Sequence, residues 1–464
     1  MGEIQRTISP VDGRVLVERP LATAAEVGVL LDRARPAFAT WRRTPLPERL
    51  AAISAFVDAF VAGGEEAATE ITWQMGRPVR YAPGEIRGFE DRARTMLRLA
   101  PEALADVVPP AKPGFERFIR REPLGVVLVL APWNYPYLTA VNALVPALAA
   151  GNVVLLKHSD QTPLCAERLA AAAQAAGLPE GVFQAVHASH PTVAEVVADD
   201  RVDLVLFTGS VQGGQAVHRA AGGHLKAVGL ELGGKDPAYV RPDAPFDFTV
   251  ENLVDGAFFN SGQSCCGVER IYVHTDVYDR FVDACVAQVA AYRLGDPTDP
   301  ETTLGPLVRG RNADLVRAHV ADALAKGARA LVDPKGFPAA RDTGPYLAPQ
   351  VLVDVDHGMD VMVQETFGPV VGIARVRSDE EATRLMDDSP YGLTASVWTE
   401  DVAAARDLGA AVQTGTVFMN RCDYLDPELA WVGVKQSGRG CTLSRVGYEH
   451  LTRPKSFHLR VGLP

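Results

Sequence analysis

The chain has 464 residues, 47% hydrophobic and 22% charged, with a formal net charge of −11 and a pI near 5.5. That is the balance of a globular protein with a sizeable core and two or three domains, and its acidity argues against nucleic acid as a general partner. Six scattered cysteines are too few for a disulfide framework, which suits a reducing, cytoplasmic setting, and they include no Cys-x-x-Cys or Cys/His cluster at metal-ligand spacing, so no metal is expected.

The amino terminus, Met-Gly-Glu-Ile-Gln-Arg, has no apolar h-region and is not expected to be a signal peptide; Arg6 stands where a myristoylation motif wants Ser or Thr. Residues 7–20 read as a hairpin around Asp12-Gly13. Amphipathic helices follow near 23–40, 47–62 and 65–75, broken at Gly63-Gly64 and Gly76. From 126 the period changes: strands at 126–130, 152–157, 182–187, 202–207 and 225–232 alternate with helices at 136–150, 163–176, 191–199 and 212–221. Continuous apolar strands between helices predict an α/β fold with a doubly wound parallel sheet covered on both faces. The uncharged run Pro123–Leu156 is cut by Pro132, Asn134, Pro136, Asn142, Pro146 and Gly151 into pieces shorter than the ~20 residues of a membrane span, so no membrane association is expected. After 234 a second α/β unit is predicted, with helices at 247–259, 276–292, 311–326, 379–387 and 400–411 and strands at 269–274, 370–376, 394–399 and 414–420.

In such sheets ligands bind beyond the carboxyl ends of the strands. Those ends here are Ala131-Pro-Trp-Asn-Tyr-Pro136, Lys157-His-Ser-Asp160, Phe207-Thr-Gly-Ser210 and Glu231. Gly-x-Gly-x-x-Gly is absent, and Gly209-Ser210 before a helix fits either an ordinary N-cap or a pyrophosphate cradle. Further on, Phe258-Phe-Asn-Ser-Gly-Gln-Ser-Cys-Cys-Gly-Val-Glu269 puts two cysteines after a Gly-Gln turn, and Glu231 precedes Cys265 by 34 residues. A lone cysteine is usually a small buried hydrophobe, and adjacent cysteines rarely meet disulfide geometry. A thiol and a carboxylate, each at the end of a regular element, instead suit covalent catalysis with a separate base.

Leu230-Glu-Leu-Gly-Gly-Lys235 followed at this distance by Gly-Gln-x-Cys resembles the aldehyde dehydrogenase superfamily, and Gln364-Glu-Thr-Phe-Gly-Pro369 matches a third motif of it. The resemblance covers essentially the whole chain. It implies a Rossmann-like NAD-binding domain (1–103 and 124–233), a catalytic α/β domain (234–442), and a small oligomerisation sheet from 104–123 and 443–464. A homodimer or homotetramer is therefore expected, since exposed strands of this kind need a partner.

By the same resemblance Cys265 is the nucleophile, Glu231 the base, and the Asn134 amide with the Cys265 N–H forms the oxyanion hole. Trp133, Lys157, Asp160, Gly209, Ser210, Gly214, Leu232, Glu365 and Phe367 would hold the cofactor. Tyr135, Leu138, Asn142, Phe259, Leu425 and Trp431, with Ser264 and Cys266, would line a substrate tunnel. The implied reaction is oxidation of a small-molecule aldehyde to a carboxylic acid with NAD, through a thiohemiacetal and a thioester on cysteine.

Three departures stand out. Ala143 replaces a lysine implicated in proton relay, Trp431 replaces a tunnel aromatic, and Asp160 stands where Glu is commoner. A carboxylate at 160 would face the 2′-phosphate of NADP as a like charge, so NAD is expected to be preferred over NADP. The mostly apolar tunnel, with Asp423 and Asp426 nearby, points to a neutral medium-sized aldehyde; a semialdehyde would want a cation, for which Arg421 is the candidate. A CoA-acylating enzyme should lack the base, and a non-catalytic relative should lose part of the constellation; both remain alternatives.

Overall fold

Val126–Ala131 and Val153–His158 are buried at every position, which a strand achieves only inside a sheet covered on both faces. The computed structural model describes residues 3–461; Met1-Gly2, on which the leader and myristoylation readings fall, and 462–464 of the expected oligomerisation segment lie outside the described residues. The two strands sit in a six-stranded sheet ordered Gly438–Arg439, Ala227–Glu231, Leu204–Thr208, Val126–Ala131, Val153–His158, Phe183–Ala185. All neighbours are parallel except Gly438–Arg439, which runs antiparallel beside Glu231. The order reverses between Val126–Ala131 and Leu204–Thr208, so the crevice at their carboxyl ends is where a ligand fits.

The sequence pattern assigns no element to 77–103, yet Pro83–Ala103 is a 21-residue helix. Its buried stripe, Ile86, Phe89, Ala93, Met96 and Ala100, has helical spacing. Pro83, Gly84, Gly88, Pro101 and eight charged residues obscure that stripe in the sequence. Gly88 allows close packing on the helix Pro136–Ala150: a Cβ there would lie 2.4 Å from Leu138 Cδ2.

A second sheet has seven strands, ordered Arg329–Ala330, Gln350–Val353, Val370–Val376, Val268–His274, Asp236–Val240, Thr394–Trp398, Thr416–Met419, parallel but for Arg329–Ala330. Strand alternation divides its core. Ala238, Val240, Ile271 and Val273 pack in one cluster, and Tyr239, Tyr272 and Leu352 in another. Asp236–Val240, directly after Gly233-Gly234, is a strand that the sequence pattern does not predict.

Two small ribbons complete the fold. Ile4–Ile8 pairs with Val15–Pro20, the expected hairpin, and Phe115–Pro123 pairs antiparallel with Thr452–Arg460. In the second ribbon the Phe118 and Phe457 rings stack at 4.5 Å. Among the described residues no helix is long and apolar enough to cross a membrane.

Candidate active site

Where the helix Phe246–Phe258 ends, the chain reverses through three left-handed residues, Asn260 (φ 53°), Ser261 (58°) and Gly262 (70°). Consecutive left-handed residues are strained and persist only where the surroundings hold them. Here Ser261 Oγ donates to the Gly305 carbonyl (2.9 Å), and the Gln263 side chain bridges the Asn260 carbonyl (3.1 Å) and the Val308 N–H (2.9 Å). A Cβ on Gly262 would lie 2.2 Å from the Gly368 carbonyl oxygen, so only glycine fits. The turn delivers Cys265, partly exposed, beside Cys266, which is buried.

A buried arginine ties this loop to the first sheet. Arg77 Nη1 bonds Glu85 Oε2 (2.5 Å), its Nη2 the Asn134 carbonyl (2.6 Å), and its Nε Asn260 Oδ1 (3.0 Å). Glu85 Oε1 in turn accepts the N–H groups of Tyr137 and Leu138 (2.9 and 3.0 Å), capping the helix Pro136–Ala150. Asn134 Nδ2 donates to the Gln263 carbonyl (3.2 Å), which leaves its second hydrogen for another acceptor. The Arg77 guanidinium also lies 4.6 Å from the Tyr135 ring centroid.

Glu231 closes the other side. Thr208 Oγ1 donates to Oε2 (3.2 Å) and Thr442 Oγ1 to Oε1, while burial raises the carboxyl's pKa against those two bonds. A carboxyl moved toward neutrality is suited to general-base work. Cys266 Sγ lies 3.1 Å from Asp423 Oδ1, which also accepts from Ser264 Oγ (2.6 Å). A hydrogen bond to Cys265, then burial, pushes the Cys266 thiol well above the usual range, and burial pushes Asp423 up to about 6. Cys266 thus stays protonated, its S–H given to Asp423.

Of the expected cofactor residues, Trp133, Lys157, Asp160, Gly209 and Ser210 line a cleft of about 1350 Å³ at the reversal of strand order. Gly214 and Leu232 pack against each other instead: a Cβ at 214 would lie 2.5 Å from Leu232 Cδ2. Ser210 caps the helix Val211–Ala221, its Oγ accepting the Gly213 N–H (3.1 Å). Phe367 meets Trp133 edge to face at 5.6 Å. Glu365 accepts the Gly234 N–H (3.1 Å), and burial followed by the charge of Glu269 pushes it up to about 8. Lys235 and Glu269, both buried, form an ion pair; Glu269 also accepts the N–H groups of Thr366 (2.8 Å) and Phe367 (2.9 Å), tying two motifs together.

Of the expected tunnel residues, Tyr135, Leu138 and Asn142 open the helix Pro136–Ala150. Phe259 lies edge-on to Tyr81 at 5.2 Å, Leu425 packs against the first core, and Trp431 is buried. Arg421 does not supply the tunnel's cation: it is exposed and stacks 3.5 Å over the Tyr424 ring. A buried cation, Arg92, reaches Leu138 and Asn142 from the helix that the sequence pattern misses. Burial lowers its pKa, and the charges that act on it are those of Glu85, Cys266, Glu231 and Cys265. Arg77, Glu85 and Arg92 carry no local motif; only the 3–4-residue spacing of 86–100 could have marked the helix that bears two of them.

A family model described as "Aldehyde dehydrogenase family" matches residues 2–457. The chain is 37% identical over 457 residues, 97% of its own length and 98% of the relative's, to "Succinate-semialdehyde dehydrogenase [NADP(+)] 1" of Mycobacterium tuberculosis. The solved structure of succinate-semialdehyde dehydrogenase from Burkholderia pseudomallei superposes with a TM-score of 0.94, at 31% identity, covering 99% of this chain and 95% of that one. NADP-dependent glyceraldehyde-3-phosphate dehydrogenase from Bacillus halodurans C-125, complexed with NADP, gives 0.93 at 30% identity, covering 99% and 96%.

These relatives overturn the expected preference for NAD, and the structure supplies the physical reason. Asp160 does not stand alone: its Oδ1 is paired with Arg309 Nη2 at 2.9 Å, and Arg309 Nε is anchored by Gln161 at 2.8 Å. Lys157, only 8% exposed, has no hydrogen-bond partner among the described residues. The repulsion expected from one carboxylate is offset by the guanidinium on it, and the lysine leaves the local balance positive.

The Arg77 network carries a stability prediction. Glu85→Ala leaves a buried guanidinium and two helix N–H groups unpaired and should destabilise the protein by about 3–5 kcal/mol. Denaturant unfolding followed by tryptophan fluorescence checks it; a loss below about 1 kcal/mol, the size of an exposed ion pair, would contradict it.

Proposed function

The chain belongs to the aldehyde dehydrogenase family, and from that premise we propose that it oxidises a semialdehyde to a dicarboxylic acid with NADP as its preferred acceptor. The observation that carries the chemistry is the buried Arg77 network, which holds the Asn134 amide against the loop of Cys265. Of the two substrate readings, the semialdehyde is favoured by the names of the relatives and by the buried cation in the tunnel.

The residues divide the work as follows. An ordinary thiol is only about 3% ionised at pH 7, so Cys265 needs help to attack as a thiolate, and Glu231 is the base available to take its proton. The oxyanion formed on the aldehyde carbon lies between Asn134 Nδ2 and the Cys265 N–H. Bound NADP would supply the hydride acceptor, and Cys265 would hold the substrate as a thioester once it is oxidised. Glu231 then takes a proton from water as it attacks that thioester. Ala143 offers no proton carrier, and the hydroxyls in contact with Glu231 are those of Thr208 and Thr442. A base so placed also speaks against a CoA-acylating enzyme.

Lys157 and Arg309 would take the 2′-phosphate, and Ser210 with the first N–H groups of its helix the pyrophosphate. Glu365 would meet the nicotinamide ribose and Phe367 the ring; a carboxyl pushed up to about 8 can donate as well as accept. A reducing compartment, the cytoplasm, suits six free cysteines.

The ribbon of Phe115–Pro123 and Thr452–Arg460 is the proposed oligomer contact, because the outer edge of Thr452–Arg460 has no strand beside it among the described residues and Val107 bridges the other edge only at Ile119. Light scattering should then give a dimer or tetramer; a monomer at micromolar concentration would contradict this. For the cofactor, NADP should exceed NAD by at least about tenfold in kcat/KM, roughly 1.4 kcal/mol, and Lys157→Met should narrow that gap. Equal or better efficiency with NAD would contradict the reading of Lys157 and Arg309.

A further inference from the structure

The helix Pro83–Ala103 brings into the tunnel wall a cation whose surroundings do not balance it. Arg92 is 9% exposed. Its Nη1 donates to the Leu138 carbonyl (2.6 Å) and to Asn142 Oδ1 (3.3 Å). Among the described residues its Nε and Nη2 have no partner, and no carboxylate forms an ion pair with it. Three other buried cations are matched: Arg77 holds Glu85, Lys235 holds Glu269, and Arg270 has an acceptor on each of its three nitrogens; Lys157, in the cofactor cleft, shares with Arg92 the lack of a carboxylate partner among the described residues.

Asn142 shows the same deficit independently. It is 1% exposed, its Oδ1 is taken by Arg92, and its Nδ2 is buried with no partner. Buried polar groups are almost always paired, and leaving a donor unmatched is costly. Both residues lack acceptors rather than donors. Unused guanidinium donors beside an unused amide fit one kind of group best, a planar anion that only accepts, which is a carboxylate.

We infer that Arg92 and Asn142 form the subsite for the substrate's far carboxylate, a reading that rests on the semialdehyde oxidation proposed above. Leu138 and Asn142 lie one helical turn apart, so their side chains share the face that Arg92 approaches. The remaining tunnel charge, Asp423, is not the missing counter-ion. Its Oδ1 is held by Ser264 and Cys266, and the guanidinium that acts on it is Arg77.

The test compares 4-oxobutanoate with butanal, two four-carbon aldehydes that differ in the far carboxylate, using the full-length enzyme and NADP. The unmodified enzyme should favour 4-oxobutanoate by at least about tenfold in kcat/KM, as a charge-assisted contact provides. Arg92→Met should cut that ratio by roughly 10–100-fold, mainly by raising KM for 4-oxobutanoate, and Arg92→Lys should restore part of it. Asn142→Leu should lower the ratio by about 3–10-fold, and decides the matter if Arg92→Met does not fold. No preference in the unmodified enzyme would overturn the semialdehyde reading and this subsite with it. A clear preference that survives in the variants, or equal losses on both aldehydes, would overturn the subsite alone.

Discussion

One buried guanidinium holds the catalytic geometry together. Arg77 reaches the helix cap through Glu85, the oxyanion-side turn through the Asn134 carbonyl, and the strained cysteine loop through Asn260. These groups come from three separate stretches of chain, and a cation with several acceptors in fixed directions can lock them together. The network is worth having only when complete. Each member removed leaves charge or backbone donors buried without partners, which in a low-dielectric interior costs more than the bond itself returned. Asn134 is placed by its backbone carbonyl and by one amide hydrogen on the Gln263 carbonyl, which leaves the second amide hydrogen for another acceptor.

The second constraint is the separation of two adjacent thiols. Strand-end geometry and the left-handed turn leave Cys265 partly exposed, while Cys266 faces the buried Asp423 carboxyl and is held protonated. One sulfur is accessible and the other is buried with its hydrogen on Asp423. Glu231, at the end of a neighbouring element of the first sheet and bonded by two threonine hydroxyls, is kept from pairing with a cation that would fix it as a permanent anion.

What the sequence made legible follows from periodicity and local chemistry. Fully apolar strands such as Val126–Ala131 could only be interior, and strand-end logic put Trp133, Lys157, Gly209 and Ser210 on one cleft. The sequence hid pairing between distant charges. Asp160 read as a bare carboxylate because its partner, Arg309, is 149 residues away, and the sign of the cofactor argument turned on that pair. Arg92 and Glu85 were hidden by prolines, glycines and charges on a helix whose stripe is narrow. Arg421 was the visible cation near the tunnel, and it lies on the surface over Tyr424. Local pattern fixes which elements form; which charges face each other depends on how those elements stack.

The central claim is that Cys265 carries an acyl group which Glu231 helps to release. Glu231→Gln enzyme mixed with 4-oxobutanoate and NADP, and examined by intact mass and peptide mapping, tests it most directly. The account predicts one burst of reduced cofactor, negligible turnover after it, and an acyl adduct mapped to Cys265. Continued turnover near the unmodified rate, or an adduct on Cys266, would contradict it.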